Sequence, residues 1–317
     1  MSDRLPQEAM EVLERADFCY VAAATRRGPH VTPMVFAHAE GRVWVTTSRG
    51  SAKARAWRVD PAVAGMVRTA DAAVTFAGTV RTYDLFEVGS WVRGVVDAPA
   101  LASASTRFTR KNARFFAGYA VDARHVPLSW TPPGRVFAAI DVERAAVVGP
   151  GGVVETVGAW PRRLPSIERF RAAAAGPSPL AGLPDDVHSP VGERGEGALA
   201  LEGAHGLSVL PVAWTVQRAG LYTALPPTAL ELAGLDAPRA GAALAIDRSS
   251  WWRARDMTGA MVRGDAEVAV PEALTSGAAS AARIARAAGA AEGEAIVRLR
   301  AEELVWWRGW TSGTVVA

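Results

Sequence analysis

The chain is written twice, and this limits its possible folds more than any other feature. Val31-Thr32-Pro33-Met34-Val35-Phe36 returns as Val209-Leu210-Pro211-Val212-Ala213-Trp214, an apolar strand interrupted by one proline at the same place. Arg42-Val43-Trp44-Val45 is echoed by Gly220-Leu221-Tyr222-Thr223, and the stretch from Ser51 to Pro61 by Thr228 to Pro238. Trp91-Val92-Arg93-Gly94 is matched to Met261-Val262-Arg263-Gly264, and the alanine-rich run at 103–119 to that at 272–289. A closing strand returns as Ala295-Ile296-Val297-Arg298-Leu299. The matches keep one order and nearly one spacing. Copies of this size mean two related domains, because solenoid repeats are much shorter. A length of 317 residues suits two domains as well.

The first copy reads as mainly β. Apolar groups at helical spacing mark a helix from Pro6 to Ala16, with Pro6 in its first turn. Strands are expected at 18–25, 30–38, 42–47, 62–69, 74–81, 86–97 and 136–142. Helices are expected at 51–59, stopped by Asp60-Pro61, and at 103–119. From 149 to 198 prolines and glycines are frequent and apolar runs few, which reads as a connector with one short helix near 166–175. The expected domains are 1–148, the connector 149–198, and 199–317.

Several function classes are excluded early. The net charge is only +3 and the basic residues are dispersed, unlike a nucleic-acid-binding face. Cys19 is the single cysteine, so no disulfide framework or multi-cysteine metal site exists. It sits in an apolar run and reads as a buried small hydrophobe. No stretch has signal-peptide or membrane-span character, and the expected location is the cytoplasm. No serine, histidine and acid constellation suggests a hydrolase. Asp84, Glu87, Asp185 and Asp186 read as turn or surface acids.

The positive charge is almost all arginine, and only two lysines occur. One of them lies in the turn Ser48-Arg49-Gly50-Ser51-Ala52-Lys53-Ala54-Arg55, between a strand and a helix. Hydroxyls, a glycine and three cations at a helix start suit an anion such as phosphate. Ser48 and Ser51 either donate to that anion or cap the helix. The equivalent turn of the second copy, Ala224 to Leu232, has no cation. One competent site and one vestigial site follow.

The ordered set Gly28 to Phe36, Gly41 to Thr47, Arg49 to Arg55 and Arg58-Val59-Asp60-Pro61 resembles the flavin-binding split-barrel superfamily of pyridoxamine 5'-phosphate oxidase and the flavin/deazaflavin oxidoreductases. The likeness spans about 15–145 and returns, diverged, over 200–317. It implies six-stranded antiparallel barrels with edge helices, here two in tandem forming a pseudo-dimer within one chain, with further homodimerisation open. It implies a cofactor in the groove between barrels and a small-molecule substrate. Thr47, Ser48, Arg49, Ser51, Lys53 and Arg55 would hold the cofactor phosphate, and Thr32, Pro33 and Met34 would lie beside its ring. The second copy would wall the groove with Trp251, Arg253 and Arg255. The cofactor is FMN or the deazaflavin coenzyme F420. Many deazaflavin-using members carry an asparagine a few residues past the lysine, where this chain has Ala56 and Trp57, so FMN leads.

The implied activity is hydride transfer at the flavin by an oxidoreductase whose catalytic acid or base the sequence does not name. The alternatives are a haem-binding or haem-degrading split-barrel protein and a non-catalytic flavin binder. Histidines 30, 38, 125, 188 and 205 lack metal-ligand spacing. His30 and His38 read as turn or surface residues, and His125 and His188 are the better haem candidates. Tryptophans 251, 252, 306, 307 and 310 read mostly as packing. Trp310, in a polar glycine-flanked tail, is placed to cover a groove.

Overall fold

A computed structural model describes residues 5–84, 86–131, 134–161, 176–248, 252–269, 287 and 295–316. The front half begins with α1 (Gln7–Arg15), β1 (Phe18–Thr25), β2 (Gly28–Ala39), β3 (Arg42–Ser48), α2 (Ala52–Trp57), β4 (Ala62–Arg68) and β5 (Ala73–Tyr83). It continues with α3 (Val88–Val96), α4 (Ala98–Lys111), α5 (Ala113–Val121), β6 (Arg135–Gly149) and β7 (Gly152–Val157). The rear half has α6 (Asp185–Val191), β8 (Arg194–Gly203), β9 (Gly206–Gln217), β10 (Gly220–Leu225), α7 (Pro227–Glu231), β11 (Arg239–Arg248), β12 (Thr258–Ala269), β13 (Ala295–Arg308) and β14 (Thr311–Val316).

The strand order is β3-β2-β1-β4-β5-β6-β7 in front and β10-β9-β8-β11-β12-β13-β14 behind. Pairing of β3 with β6, and of β10 with β13, closes each sheet into a six-stranded barrel with one strand appended outside. Closure leaves no free edge within the ring. The repeat extends to irregularities. The β5–β6 ladder shifts register at Ala77/Gly78, and the β12–β13 ladder at Arg263/Gly264. A Cβ on Gly78 would lie 2.0 Å from the Asp141 carbonyl oxygen, and one on Gly264 would lie 1.9 Å from that of Arg300. The same bulge therefore needs the same missing side chain in both copies.

This register corrects one sequence match. The segment in the place of Met261–Gly264 is Thr75–Gly78, whereas Trp91–Gly94 lies inside α3. The run 86–97, expected as a strand, is mostly helical because β5 already bonds β4 and β6 on its two edges. The helix expected at 103–119 is two helices. They break at Asn112, whose amide donates to the carbonyls of Phe108 and Phe36 and so competes with the helical ladder. The stretch 149–198 contains β7, α6 and the start of β8. The runs expected as helices near 166–175 and 272–289 lie outside the described residues, apart from residue 287.

Each barrel has its own core. Cys19, Val21, Met34, Phe36, Val43, Val45 and Ile140 fill the front one. Leu199, Leu210, Trp214, Leu221, Leu244 and Val297 fill the rear one. A third apolar cluster joins the barrels, with Tyr20, Ala22, Val31 and Met66 meeting Ala200, Val209, Ala243 and Met261. Thr75 Oγ1 donates to the Val209 carbonyl at 2.6 Å, and the Tyr20 hydroxyl donates to Asp247 at 2.5 Å. Both ends of these hydrogen bonds are buried, which fixes how the two outer faces meet.

Candidate functional site

The basic turn sits where β3 leaves the barrel and α2 closes its end. Ser51 is the N-cap of α2: its Oγ accepts the Ala54 N–H at 3.1 Å and the Thr47 hydroxyl at 3.0 Å. Ser48 supports the turn through its carbonyl, which accepts the Ser51 N–H at 3.0 Å. Ala54 and Trp57 face the barrel core, so the helical period places Lys53 at its mouth.

Lys53 is only 3% exposed. Its ammonium donates to Thr32 Oγ1. Antiparallel partners share a face, and Val21 opposite Thr32 and Ala23 opposite His30 both belong to the front core. Thr32 and His30 therefore line the barrel interior, and Pro33, opposite Tyr20, lies on the outer face. Among the described residues no carboxylate pairs with Lys53. Burial pulls its pKa down to about 7, and the nearby Cys19 thiol opposes this weakly. His30 is held down at about 3, first by burial and then by Lys53, Arg263 and Arg55. Its imidazole is neutral. Cys19 is fully buried, as read from sequence, and burial pushes its thiol up to about 12.

The two arginines of the turn behave differently. Arg55 is exposed and donates to the Gly50 carbonyl at 2.5 Å. Nothing stands within 4 Å of a Cβ placed on Gly50, so the turn's outer surface is open. Arg49 is held from the side by Asp84 at 2.7 Å and lies 4.0 Å from the centroid of the Phe86 ring. Asp84 is 2% exposed and also meets Arg58 at 3.4 Å. It is the turn acid expected, its Oδ1 accepting the Phe86 N–H at 2.9 Å, but a buried anchor and not a surface one, because two arginines converge on it from the two ends of α2. Sequence separation hides this: the pairs are 35 and 26 residues apart and bridge different elements.

Other expected site residues fall elsewhere. Trp251 lies outside the described residues. Arg253 and Arg255 both bind Asp122 at the end of α5, which holds the rear segment against the front helices. Trp310 packs edge-on to Tyr119 and Trp130, with centroids 5.5 and 5.1 Å away. His38 is buried, not superficial, because α1 and α4 cover its end of β2; burial lowers its pKa. His125 is exposed, and His188 Nε2 is 3.0 Å from Glu193. A cleft of about 440 Å³ between Asp17, Phe18, Arg110 and Arg114 lies at the α4–α5 junction and includes no histidine and none of the turn.

The rear turn is built of different chemistry. Pro226 stands at the N-cap of α7, and Ala229 and Leu230 are buried. Thr228 Oγ1 accepts the Val153 N–H at 3.1 Å, and a Cβ on Gly152 would lie 2.3 Å from that oxygen. The β6–β7 hairpin of the front half thus covers the position where the front turn is open.

Residues 6–110 match the family model described as pyridoxamine 5'-phosphate oxidase. The resemblance read from the turn and its flanking strands is borne out, and two barrels in one chain fit a tandem form. Solved structures similar to this chain include a pyridoxamine 5'-phosphate oxidase-related, FMN-binding protein from Nostoc punctiforme, at 16% identity, covering 48% of this chain and 88% of the other with a TM-score of 0.35. A FAD-binding protein from Mesorhizobium loti matches at 17% identity over 45% and 94%, with a TM-score of 0.31. A heme binding protein from Mycobacterium smegmatis matches at 16% identity over 48% and 57%, with a TM-score of 0.33. No curated protein matches the chain.

Proposed function

We propose that this chain is a flavin-dependent oxidoreductase that holds one FMN per chain, its phosphate at the front turn. The observation that carries the reading is Lys53, a buried ammonium with a hydroxyl partner and no described carboxylate. Burying an unpaired charge is costly, and a site that does so is built for an anion that completes it. The residues at hand fit a phosphate monoester. Lys53 supplies a point charge, Arg55 a mobile fork at the open surface, and Thr32, Thr47 and Ser51 hydroxyl groups. Arg49, braced by Asp84, reinforces the positive potential from the side.

A bound flavin supplies the hydride chemistry itself. The chain's residues orient it and exclude water. Pro33 is half-buried on the outer face of β2, between Val31, which packs on the rear barrel, and Val35, which packs under the front helices, and it gives an apolar surface next to Thr32. His30, kept neutral by burial and three cations, keeps a ring nitrogen available as an acceptor at the barrel mouth. The rear turn offers no cation and is covered by the β6–β7 hairpin, so one flavin binds, not two.

The test is an absorption spectrum of protein purified from a host that makes flavins and haem, with mass identification of the released ligand. FMN at one per chain, lost in Lys53→Ala combined with Arg49→Ala, is the expected result. F420 in its place would change the cofactor and leave the site standing. A Soret band with no flavin would overturn the reading in favour of a haem protein.

A further inference from the structure

Arg135 is a second cation that the front barrel shelters with no described carboxylate beside it. It opens β6 opposite Ser48. Its Nε donates to Thr46 Oγ1 at 3.0 Å and one Nη donates to the Thr46 carbonyl at 2.7 Å. Both acceptors are neutral. Burial lowers its pKa from the ordinary arginine value, and the main opposing influence is Tyr119. A guanidinium has five N–H donors in a planar fork, so the other Nη group remains for a ligand.

What surrounds that fork is aromatic. Its carbon lies 5.3 Å from the centroid of the Trp130 ring. Trp130 meets Trp310 edge-on at 5.1 Å, and Trp310 meets Tyr119 edge-on at 5.5 Å. Burial pushes the Tyr119 phenol up to about 12, so it stays a neutral O–H donor, and the described residues provide it with no acceptor. The cluster draws on α5, the turn before β6, β6 itself and the β13–β14 turn of the rear barrel. It adjoins the basic turn directly: the Gly134 carbonyl accepts the Arg49 N–H at 3.0 Å.

We propose that Arg135 and Tyr119, roofed by Trp130 and Trp310, recognise the carboxylate of a planar aromatic substrate next to the cofactor turn. That this cluster serves a redox substrate rests on the flavin reading; that it takes an aromatic carboxylate does not. One uncompensated fork matches one carboxylate, with the phenol as a further donor. The tryptophan rings give a flat molecule edge and face contacts that an aliphatic acid fills less well. Because Trp310 comes from the rear barrel, the site is complete only when the two barrels are joined.

The probe is 4-fluorobenzoate, followed by fluorine NMR line width with FMN-loaded and FMN-free protein. Binding is expected in the millimolar range or tighter, and about tenfold weaker for the neutral 4-fluorobenzyl alcohol. Arg135→Gln should weaken 4-fluorobenzoate about tenfold, with Arg135→Lys intermediate because the charge survives without the fork. Tyr119→Phe should cost about threefold, the worth of one neutral hydrogen bond. FMN affinity should move less than about twofold in each variant, below the effect of one hydrogen bond. Circular dichroism melts confirm folding; should Arg135→Gln be unfolded, Arg135→Lys and Tyr119→Phe decide. No binding to the wild type, or equal binding to the variants, overturns the proposal. If 4-fluorobenzoate binds in an Arg135-dependent way while FMN does not bind, the cluster's role stands and the flavin reading falls. If FMN binds and the probe does not, the reverse holds.

Discussion

The front and rear barrels share their ladder order, their closure and their bulge, yet differ in the turn after the third strand. The rear barrel acts as an internal control. It closes and caps itself with α7, using two prolines and buried alanine and leucine at that turn. Cations there are therefore not required by the fold. The front barrel keeps Lys53 and Arg55, burying the first against the usual preference for exposure. A feature that the architecture does not need, and that costs stability, supports the proposed anion site.

The largest effect should strike what the halves share. Gly78→Val and Gly264→Val each force a Cβ onto a backbone carbonyl, and urea unfolding should show losses of about 3–5 kcal/mol in both. A large loss in only one half would mean the bulges are not equivalent. Next comes the difference between the halves. Lys53→Met should weaken FMN about a hundredfold by fluorescence titration, about 2.7 kcal/mol, in the range for removing a buried charged partner. An unchanged affinity would move the phosphate elsewhere.

The same lysine predicts a pH signature. Its pKa is about 7 folded against the ordinary 10.5, so above about pH 7 the unfolded chain holds more protons. Stability of flavin-free protein should therefore rise from pH 7 toward pH 10, by at most about 1.4 kcal/mol per unit from this group. Lys111, lowered to about 8 mainly by burial, adds a rise of the same sign that starts higher. Lys53→Met should remove the part that begins near pH 7, and bound FMN should shift that part to higher pH. Thermal melts across pH check both.

Arg49→Ala should cost FMN only about fivefold, since its charge is already shared with Asp84. Finally, Thr228→Lys should leave flavin stoichiometry at one per chain, because the β6–β7 hairpin occupies that turn. Two flavins per chain would show that the missing cation alone silences the rear half.

Much of the architecture was legible because β1 to β5 are apolar runs, buried on both faces of the barrel wall, and Gly28, Gly41 and Pro61 mark breaks between them. The repeat was legible from Pro33 and Pro211. What misled was local composition without topology. The valines of α3 have strand character, and only closure of the barrel denies them a partner; Val92, Val95 and Val96 are left exposed. In the site, the cap at Ser51 could be anticipated from residue type, whereas the burial of Lys53 against Thr32 could not. The Asp84 anchor and the gathering of Arg135, Trp130, Trp310 and Tyr119 could not, because each brings together elements distant in sequence. A lone arginine at the start of a strand carries no local signal of what it faces.

Joining the halves on one polypeptide has an evolutionary consequence. Two identical subunits related by a dyad must repeat every residue, so a mutation that improves one groove is imposed on the other. Here duplication has freed each half to drift separately. Covering the Thr228 turn with a hairpin and lending Trp310 to the opposite half are asymmetric changes, and no symmetric homodimer can make them at a single locus.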